Sequence, residues 1–416
     1  MTAAGISRLE VAPVRSQFPL LSRCVEGRPI VYLDSAATSQ KPQSVLDAMD
    51  DYYRTCNANV HRGVYAIAEE ATNRMERARE RVRAFIGARS AAEVLITKNA
   101  TESLNLVAQS WGRANLRAGD AIVLTHMEHH ANIVPWQMMA AERGFEIRWV
   151  PLTADGLLDL GDLDRLLDGA KAFSFTAMSN VLGTINPVRQ LCAAAHAHGA
   201  VAIVDGCQSV PHMPTDVREW DADFVAFSSH KMVGPSGIGL LWGRESLLDS
   251  MPPFLGGGNM ISDVRLDGFE CADLPAKFEA GTQPIVEAVG LAAAVDYLSA
   301  LGMDNVRAHE AALTVEALDK LEGRFGDDIV IHGSRDAAVR GATISFAFRD
   351  VHPHDVSQVL DQHNVCVRAG HHCAKPLMRL LGANATVRAS FYLYNTSGEI
   401  DALCDALGET ADFFSL

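Results

Sequence analysis

Apolar positions in the middle of the chain fall into short runs: AIVLTH at 121–126, FSFTAMSN at 173–180, AVAIVDG at 200–206 and DFVAFSS at 223–229. Glycine or polar residues bound them, and helix-like stretches such as LCAAAHAHG at 191–199 lie between. Continuous apolar runs of strand length alternating with helices predict βαβ units and a largely parallel sheet, an α/β domain. Past residue 300 the texture changes to a helical segment, then DDIVIHG, ATISFAFRD and NVCVRAG, and finally ALCDALGETADFF. That order of helix, strands and helix predicts a smaller α+β C-terminal domain. The expected division is an N-terminal segment at 1–30 packing on the small domain, a large α/β domain at 31–300 and the small domain at 301–416. With no repeat, low-complexity tract or long Pro/Gly/Ser linker, the domains are expected to be tightly joined.

Charge narrows the partners. The net charge of −15 opposes binding to phosphate backbones or anionic lipid, so neither nucleic acid nor a membrane is expected as a partner. The opening stretch MTAAGISRLEVAPVRSQFPLL has scattered charges and no apolar block of a secretory signal. No run reaches the ~18 apolar residues of a membrane helix, and a cytoplasmic location is expected. Eight cysteines, at 24, 56, 192, 207, 271, 366, 373 and 404, include no CxxC pair and are too sparse for a disulfide scaffold. Most are expected to be small buried hydrophobes.

Ligands of open α/β sheets sit beyond the carboxyl ends of the strands, which directs attention to the residues just after each run. In FSSHKMVGPSGIG, Lys231 follows a strand-like run and enters a glycine-rich loop, where a lysine by itself reads as a solvated loop residue. The strand AVAIVD ends at Asp205, with Cys207 and Gln208 beyond it. A carboxylate closing one strand and a lysine after the next are what pyridoxal phosphate requires. The lysine holds the cofactor covalently, and the acid keeps the pyridine nitrogen protonated so that the ring is an electron sink. Without Lys231 and Gln208, Asp205 would read as a helix cap or turn acid. The cofactor's phosphate needs backbone N–H groups at a helix start with hydroxyls nearby. KNATESLNLVAQSW places Thr101 there, a position that also suits an ordinary helix start, while Ser228 and His230 flank the lysine.

Two further clusters carry chemistry. THMEHHANIVPWQ sets His126, His129 and His130 with Glu128 after a strand. A metal is one reading, but no second cluster has zinc-site spacing, and a ring stacked over a planar cofactor fits better. VRAGHHCAKPLM holds Cys373 among Arg368, His371, His372 and Lys375, neighbours that favour a reactive thiolate. An inert turn cysteine, or a metal contact through HHC, are its rival readings.

Taken together, YLDSAAT at 32–38, EHHANIVPWQ, SNVLGTINP, VDGCQ, SSHKMVGPSGIG, FEAGT, RAGHHCAKPLM and RASFYLYNT resemble, in order, the SUF-type cysteine desulfurases. These form part of the class V aminotransferase group of fold-type I pyridoxal-phosphate enzymes, and the likeness spans nearly the whole chain. It implies that Lys231 binds the cofactor, Asp205 contacts the pyridine nitrogen, Gln208 the ring hydroxyl, and His129 stacks on the ring as acid/base. Thr101, Ser228 and His230 would hold the phosphate, joined by Thr282 from the partner subunit of a homodimer. Asn180 and Arg388 would bind the substrate carboxylate, and Arg368 would lie near the cysteine loop. Cys373 would be the nucleophile that takes sulfur from L-cysteine as a persulfide, leaving alanine. The sulfur would pass to an acceptor protein of the SUF pathway for iron–sulfur cluster assembly. No metal is expected.

Four positions depart from the family pattern: Cys207 for alanine, Ser229 for glycine, Asn259 for serine and Ala369 for threonine. None replaces a catalytic group, but Cys207 adds an oxidisable thiol near the expected cofactor. Selenocysteine lyase or cysteine-sulfinate desulfinase activity on the same scaffold is the alternative within enzymology. A non-catalytic binding or scaffold protein with a metal or redox HHC contact is the alternative outside it.

Overall fold

Seven strands build the central sheet: β1 Val94–Thr97, β2 Ala121–Thr125, β3 Glu146–Val150, β4 Ala170–Thr176, β5 Val201–Asp205, β6 Phe224–Ser228 and β7 Gly239–Gly243. The structure, a computed structural model, describes residues 9–414. Spatial order is β1-β7-β6-β5-β4-β2-β3, parallel from β6 to β3, with β7 antiparallel to both of its neighbours. Every residue of β1, β2, β6 and β7 is buried, which is why these strands are continuous apolar runs instead of alternating ones.

The run FSFTAMSN does not remain a strand to its end. β4 stops at Thr176; Ala177 N–H then donates to Asp205 O at 2.9 Å, and Met178 bridges Ile185. That turn places Asn180 beyond the strand ends.

Residues 329–390 form a second, antiparallel sheet of β8 Ile329–His332, β9 Thr343–Phe348, β10 Arg368–Gly370 and β11 Thr386–Ser390, in the order β8-β9-β11-β10. Its core joins Ile344, Phe346 and Val387 to Leu318 and Leu321 of helix Met303–Phe325 and Leu403 of helix Ser397–Phe413. Full burial of each such side chain contributes roughly 1.5–3 kcal/mol. Val31 and Leu33 bury in this same core, where Val31–Tyr32 pairs in parallel with Val365–Cys366. Helix Met303–Phe325 spans both cores, since Val306 lies in the core of the large sheet and Leu318 in the second.

Before residue 30 the chain straps across the junction. Phe18 meets Tyr297 and Tyr394 edge-on, and Arg15 pairs with Glu399 at 3.0 Å while donating to Tyr394 O at 3.1 Å. Glu399 also closes a capping box with Thr396. The FEAGT segment is anchored differently. Glu279 accepts hydrogen bonds from Arg79 Nη1 and Nη2, at 2.7 and 3.0 Å, and from Ile96 N–H at 2.8 Å, all buried. Removing one partner of such a pair strands a buried charge, at a cost of about 3–5 kcal/mol.

Candidate active site

A cavity of about 580 Å³ opens between the carboxyl ends of the central strands and the second sheet. At its floor Asp205 ends β5, 3% exposed, and accepts Cys207 N–H at 2.9 Å. Lys231 follows β6 in a short turn lining the same cavity. Both sit at adjacent strand ends because β5 and β6 pair in parallel register. His129 lines the wall, its Nδ1 accepting Ala131 N–H at 3.0 Å, so the neutral ring carries its proton on Nε2. Burial first, then Lys231, holds this imidazole well below its usual range.

Glu128 is fully buried and belongs to the scaffold. It accepts Asn132 Nδ2 at 2.7 Å and Thr176 N–H at 3.0 Å, locking the histidine loop onto β4. Burial raises its carboxyl to about 8. With Glu128 so engaged and His126 stacked on Trp149, the cluster at 126–130 does not converge on a metal. Among the described residues, His130 converges instead with His371 and Cys373.

At the other end of the cavity, helix Ala100–Val107 begins. Its cap is Asn99, whose side chain accepts Glu102 N–H at 2.9 Å; Thr101, expected to head the helix, lies in its first turn and lines the cavity. Ser228 Oγ accepts Ala100 N–H at 2.9 Å, tying β6 to the helix start. Gly239 permits that approach, since a Cβ there would lie 2.3 Å from Asn99 Cα. His230 Nδ1 meets Thr38 Oγ1 at 3.2 Å, and burial followed by Lys231 lowers its pKa to about 4. Gln208 Nε2 donates to Ala36 O at 2.8 Å.

Asn180, from the turn after β4, and Arg388, from β11, meet directly, Arg388 Nη1 donating to Asn180 O at 2.9 Å. Arg388 is 2% exposed, and its buried Nε has no hydrogen-bond partner among the described residues. The residue lines the cavity, so its guanidinium puts a buried positive charge at the wall. Asp34 restrains both arginines, contacting Arg368 Nη2 at 2.8 Å and Arg388 Nη2 at 3.4 Å. Neither Asp34 nor the Thr38 contact stood out in the sequence, where YLDSAAT offers no strand-end lysine, histidine or cysteine to draw attention.

Cys373 is exposed at the cavity mouth, with left-handed backbone at His372 (φ 51°) and Cys373 (φ 55°). Two non-glycine residues in that region cost roughly 1–2 kcal/mol each. Hydrogen bonds hold the loop there: His130 N–H to Cys373 O at 2.7 Å, Asn180 Nδ2 to His372 O at 2.7 Å and Lys375 N–H to His130 Nε2 at 3.0 Å. Of the neighbours expected to bring positive charge, His372 does not. Burial, then Arg388, pushes its pKa down to about 3, and its Nε2 faces Thr386 Oγ1 at 2.8 Å. Arg368 and Arg388 are the fixed cations whose fields reach the Cys373 sulfur.

One expected residue sits apart from this group. Thr282 is exposed and lines a separate hollow with Lys98 and Glu287. Cys207 lines the main cavity, but burial and then Asp205 push its thiol far up, so it stays protonated and is no second thiolate.

The arrangement suits pyridoxal phosphate, with an acid for the ring nitrogen, a lysine for the aldehyde, and a helix start with serine for the phosphate. A mostly parallel sheet bearing this pair at adjacent strand ends defines a fold-type I pyridoxal-phosphate enzyme. The chain belongs to the family described as Aminotransferase class-V, whose pattern matches residues 31–403. A Streptomyces coelicolor relative named as a probable cysteine desulfurase is 52% identical, covering 98% of each chain. One from Halalkalibacterium halodurans, named likewise, is 49% identical over 96% of this chain and 98% of its own. Among solved structures, the apo cysteine desulfurase of Thermococcus onnurineus NA1 superposes with a TM-score of 0.93 at 39% identity, covering 98% of this chain and 99% of that one. The Escherichia coli cysteine desulfurase CsdA, in an S-sulfonic acid form, gives 0.90 at 38%, covering 98% and 100%.

Proposed function

We infer that this chain is a cysteine desulfurase that takes sulfur from L-cysteine onto Cys373, releases alanine and hands the persulfide to an acceptor protein. The carrying observation is that an exposed cysteine on a hydrogen-bonded loop overhangs a cavity floored by Asp205 and Lys231. Pyridoxal phosphate on Lys231 supplies an electron sink that weakens the substrate's Cα–H and C–S bonds.

The remaining steps fall to this chain's own groups. Arg388 and Asn180 fix the substrate carboxylate. Lys231 Nζ, once the substrate amine has replaced it on the cofactor, would take the α-proton, and His129 Nε2 would exchange protons at the substrate amine or thiol. The Cys373 thiolate attacks the substrate sulfur; a new S–S bond forms as the C–S bond breaks, and its electron pair stays with the three-carbon fragment. Reprotonation of that fragment gives alanine. Ser228, His230 and Thr101 hold the phosphate, and Gln208 the ring hydroxyl. Arg368 guards the approach to Cys373.

A homodimer completes the site, with Thr282 serving the partner's cofactor, which accounts for its turning away from its own cavity. Among the described residues all eight cysteines are free thiols, in keeping with a reducing cytoplasm. The sulfur is destined for iron–sulfur assembly through a SUF-type acceptor.

The test is direct. Given cysteine, the purified protein should release alanine and carry a mass increment of one sulfur on the Cys373 peptide. Cys373→Ala should keep its yellow cofactor and its spectral response to cysteine but form no persulfide. Selenocysteine and cysteine sulfinate serve as comparison substrates. Persulfide on Cys207, with unchanged turnover, would overturn the assignment.

A further inference from the structure

Three side chains from two domains meet at the cavity mouth: His130 from the loop after β2, and His371 and Cys373 from the loop after β10. One ligand-capable atom of each lies within 4.8 Å of the others. We propose that this triad is a regulatory site for a zinc-class divalent ion, whose binding masks Cys373 and stops sulfur transfer. The masking half rests on Cys373 being the sulfur acceptor; the binding half does not.

Two imidazoles and a thiolate are a donor set for a borderline-soft ion, whereas magnesium and calcium demand oxygens. Bonds of about 2.0 Å to nitrogen and 2.3 Å to sulfur put the ligand atoms of a tetrahedral ion roughly 3.5 Å apart. With all separations within 4.8 Å, the triad has to contract by at most about 1.3 Å. Cys373, exposed on its loop, is the member free to make that move, whereas both rings are half-buried.

Each ring already presents a lone pair. His130 Nε2 accepts Lys375 N–H at 3.0 Å, and His371 Nδ1 accepts Cys373 N–H at 3.1 Å. An ion would displace those two backbone donors, and Cys373 would lose its thiol proton to solvent on coordination. His130 N–H also donates to Cys373 O at 2.7 Å, so the two domains are already joined where the ion would staple them. His372 is excluded, its Nε2 facing Thr386. Three protein ligands leave one position to water, the pattern of an open, chelator-reversible site in contrast to a closed structural one.

The test uses holoenzyme and zinc alone. Competition against a chromophoric chelator gives stoichiometry and affinity, and alkylation of Cys373, read by peptide mass, reports masking without any reference to turnover. The expected result is one ion per chain, slowed alkylation restored by chelator, and affinity weakened at least about tenfold in His130→Asn and in His371→Asn. Cys373→Ser should weaken binding further. If His130→Asn binds zinc and protects Cys373 as the parent protein does, the site is refuted. Zinc that binds but leaves the alkylation rate unchanged refutes it equally. Histidine-dependent protection in a protein that never desulfurates cysteine would uphold the metal site and sink only the role given to Cys373.

Discussion

The floor of the cavity and the loop that overhangs it are built on opposite plans. On the floor, Asp205 and Ser228 are each 3% exposed, at the ends of buried parallel strands whose positions are set by ladder hydrogen bonds. The Cys373 loop is exposed, bends through two left-handed non-glycine residues and is held by a few bonds reaching across from the loops that follow β2 and β4. Carbanion chemistry rewards fixed charge at fixed distance in a dry bed. On the proposed function, the sulfur carrier would have to reach inward for substrate and outward for an acceptor, and an exposed loop held by separable bonds would serve that purpose.

Damage to the floor should be the most severe. Lys231→Ala is expected to cut alanine release by about 10³-fold or more, because both the covalent anchor and the proton acceptor are lost. Borohydride reduction and peptide mapping of the parent protein should find the cofactor on Lys231, and a label elsewhere would break the comparison. Asp205→Asn should retain cofactor yet lose roughly 10²-fold in turnover, as expected when a ring-nitrogen pKa falls by about two units.

Damage to the loop should be milder and of a different kind. Asn180→Ala removes the bond to His372 O and part of the carboxylate site, and is expected to cost about tenfold in activity. Its signature is limited proteolysis near Cys373 speeding up while cofactor absorbance stays unchanged. Loss of the cofactor would mean that loop and floor are a single unit.

The smallest effect concerns acid. His230 and His372, with pKa values lowered to about 4 and about 3, stay neutral in the fold where an unfolded chain would bind protons. Their contribution is present above the ordinary histidine pKa of about 6.5 and is lost as pH falls from there toward the folded values. Glu128, raised to about 8, works the other way, losing its contribution as pH rises from about 4.5 to 8. Thermal midpoints should therefore drop between pH 7 and 5, less so in His372→Gln and more steeply in Glu128→Gln. A flat profile in all three proteins would show that these groups do not sense folding.

Local pattern was enough to place much of this molecule. Apolar runs bounded by polar residues marked β2, β5 and β6 to within a residue or two, because a strand buried on both faces must be apolar throughout. Asp205 was legible for the same reason, being the polar residue that ends its run, whereas Lys231 lies three residues past the end of β6, in the turn that follows it. Asn99 escaped notice as a cap because Thr101 beside it offers a similar side-chain oxygen, and only backbone geometry decides between them. What no local pattern carries is the company these residues keep. Asp34 meets Arg368 and Arg388 across 334 and 354 residues of chain, and His130 reaches the Cys373 loop across 245. Such contacts depend on how two separately buried cores settle against each other, so the charge around Cys373, including the neutrality of His372, belongs to the tertiary structure, while the chemistry available at each strand end was already written in the sequence.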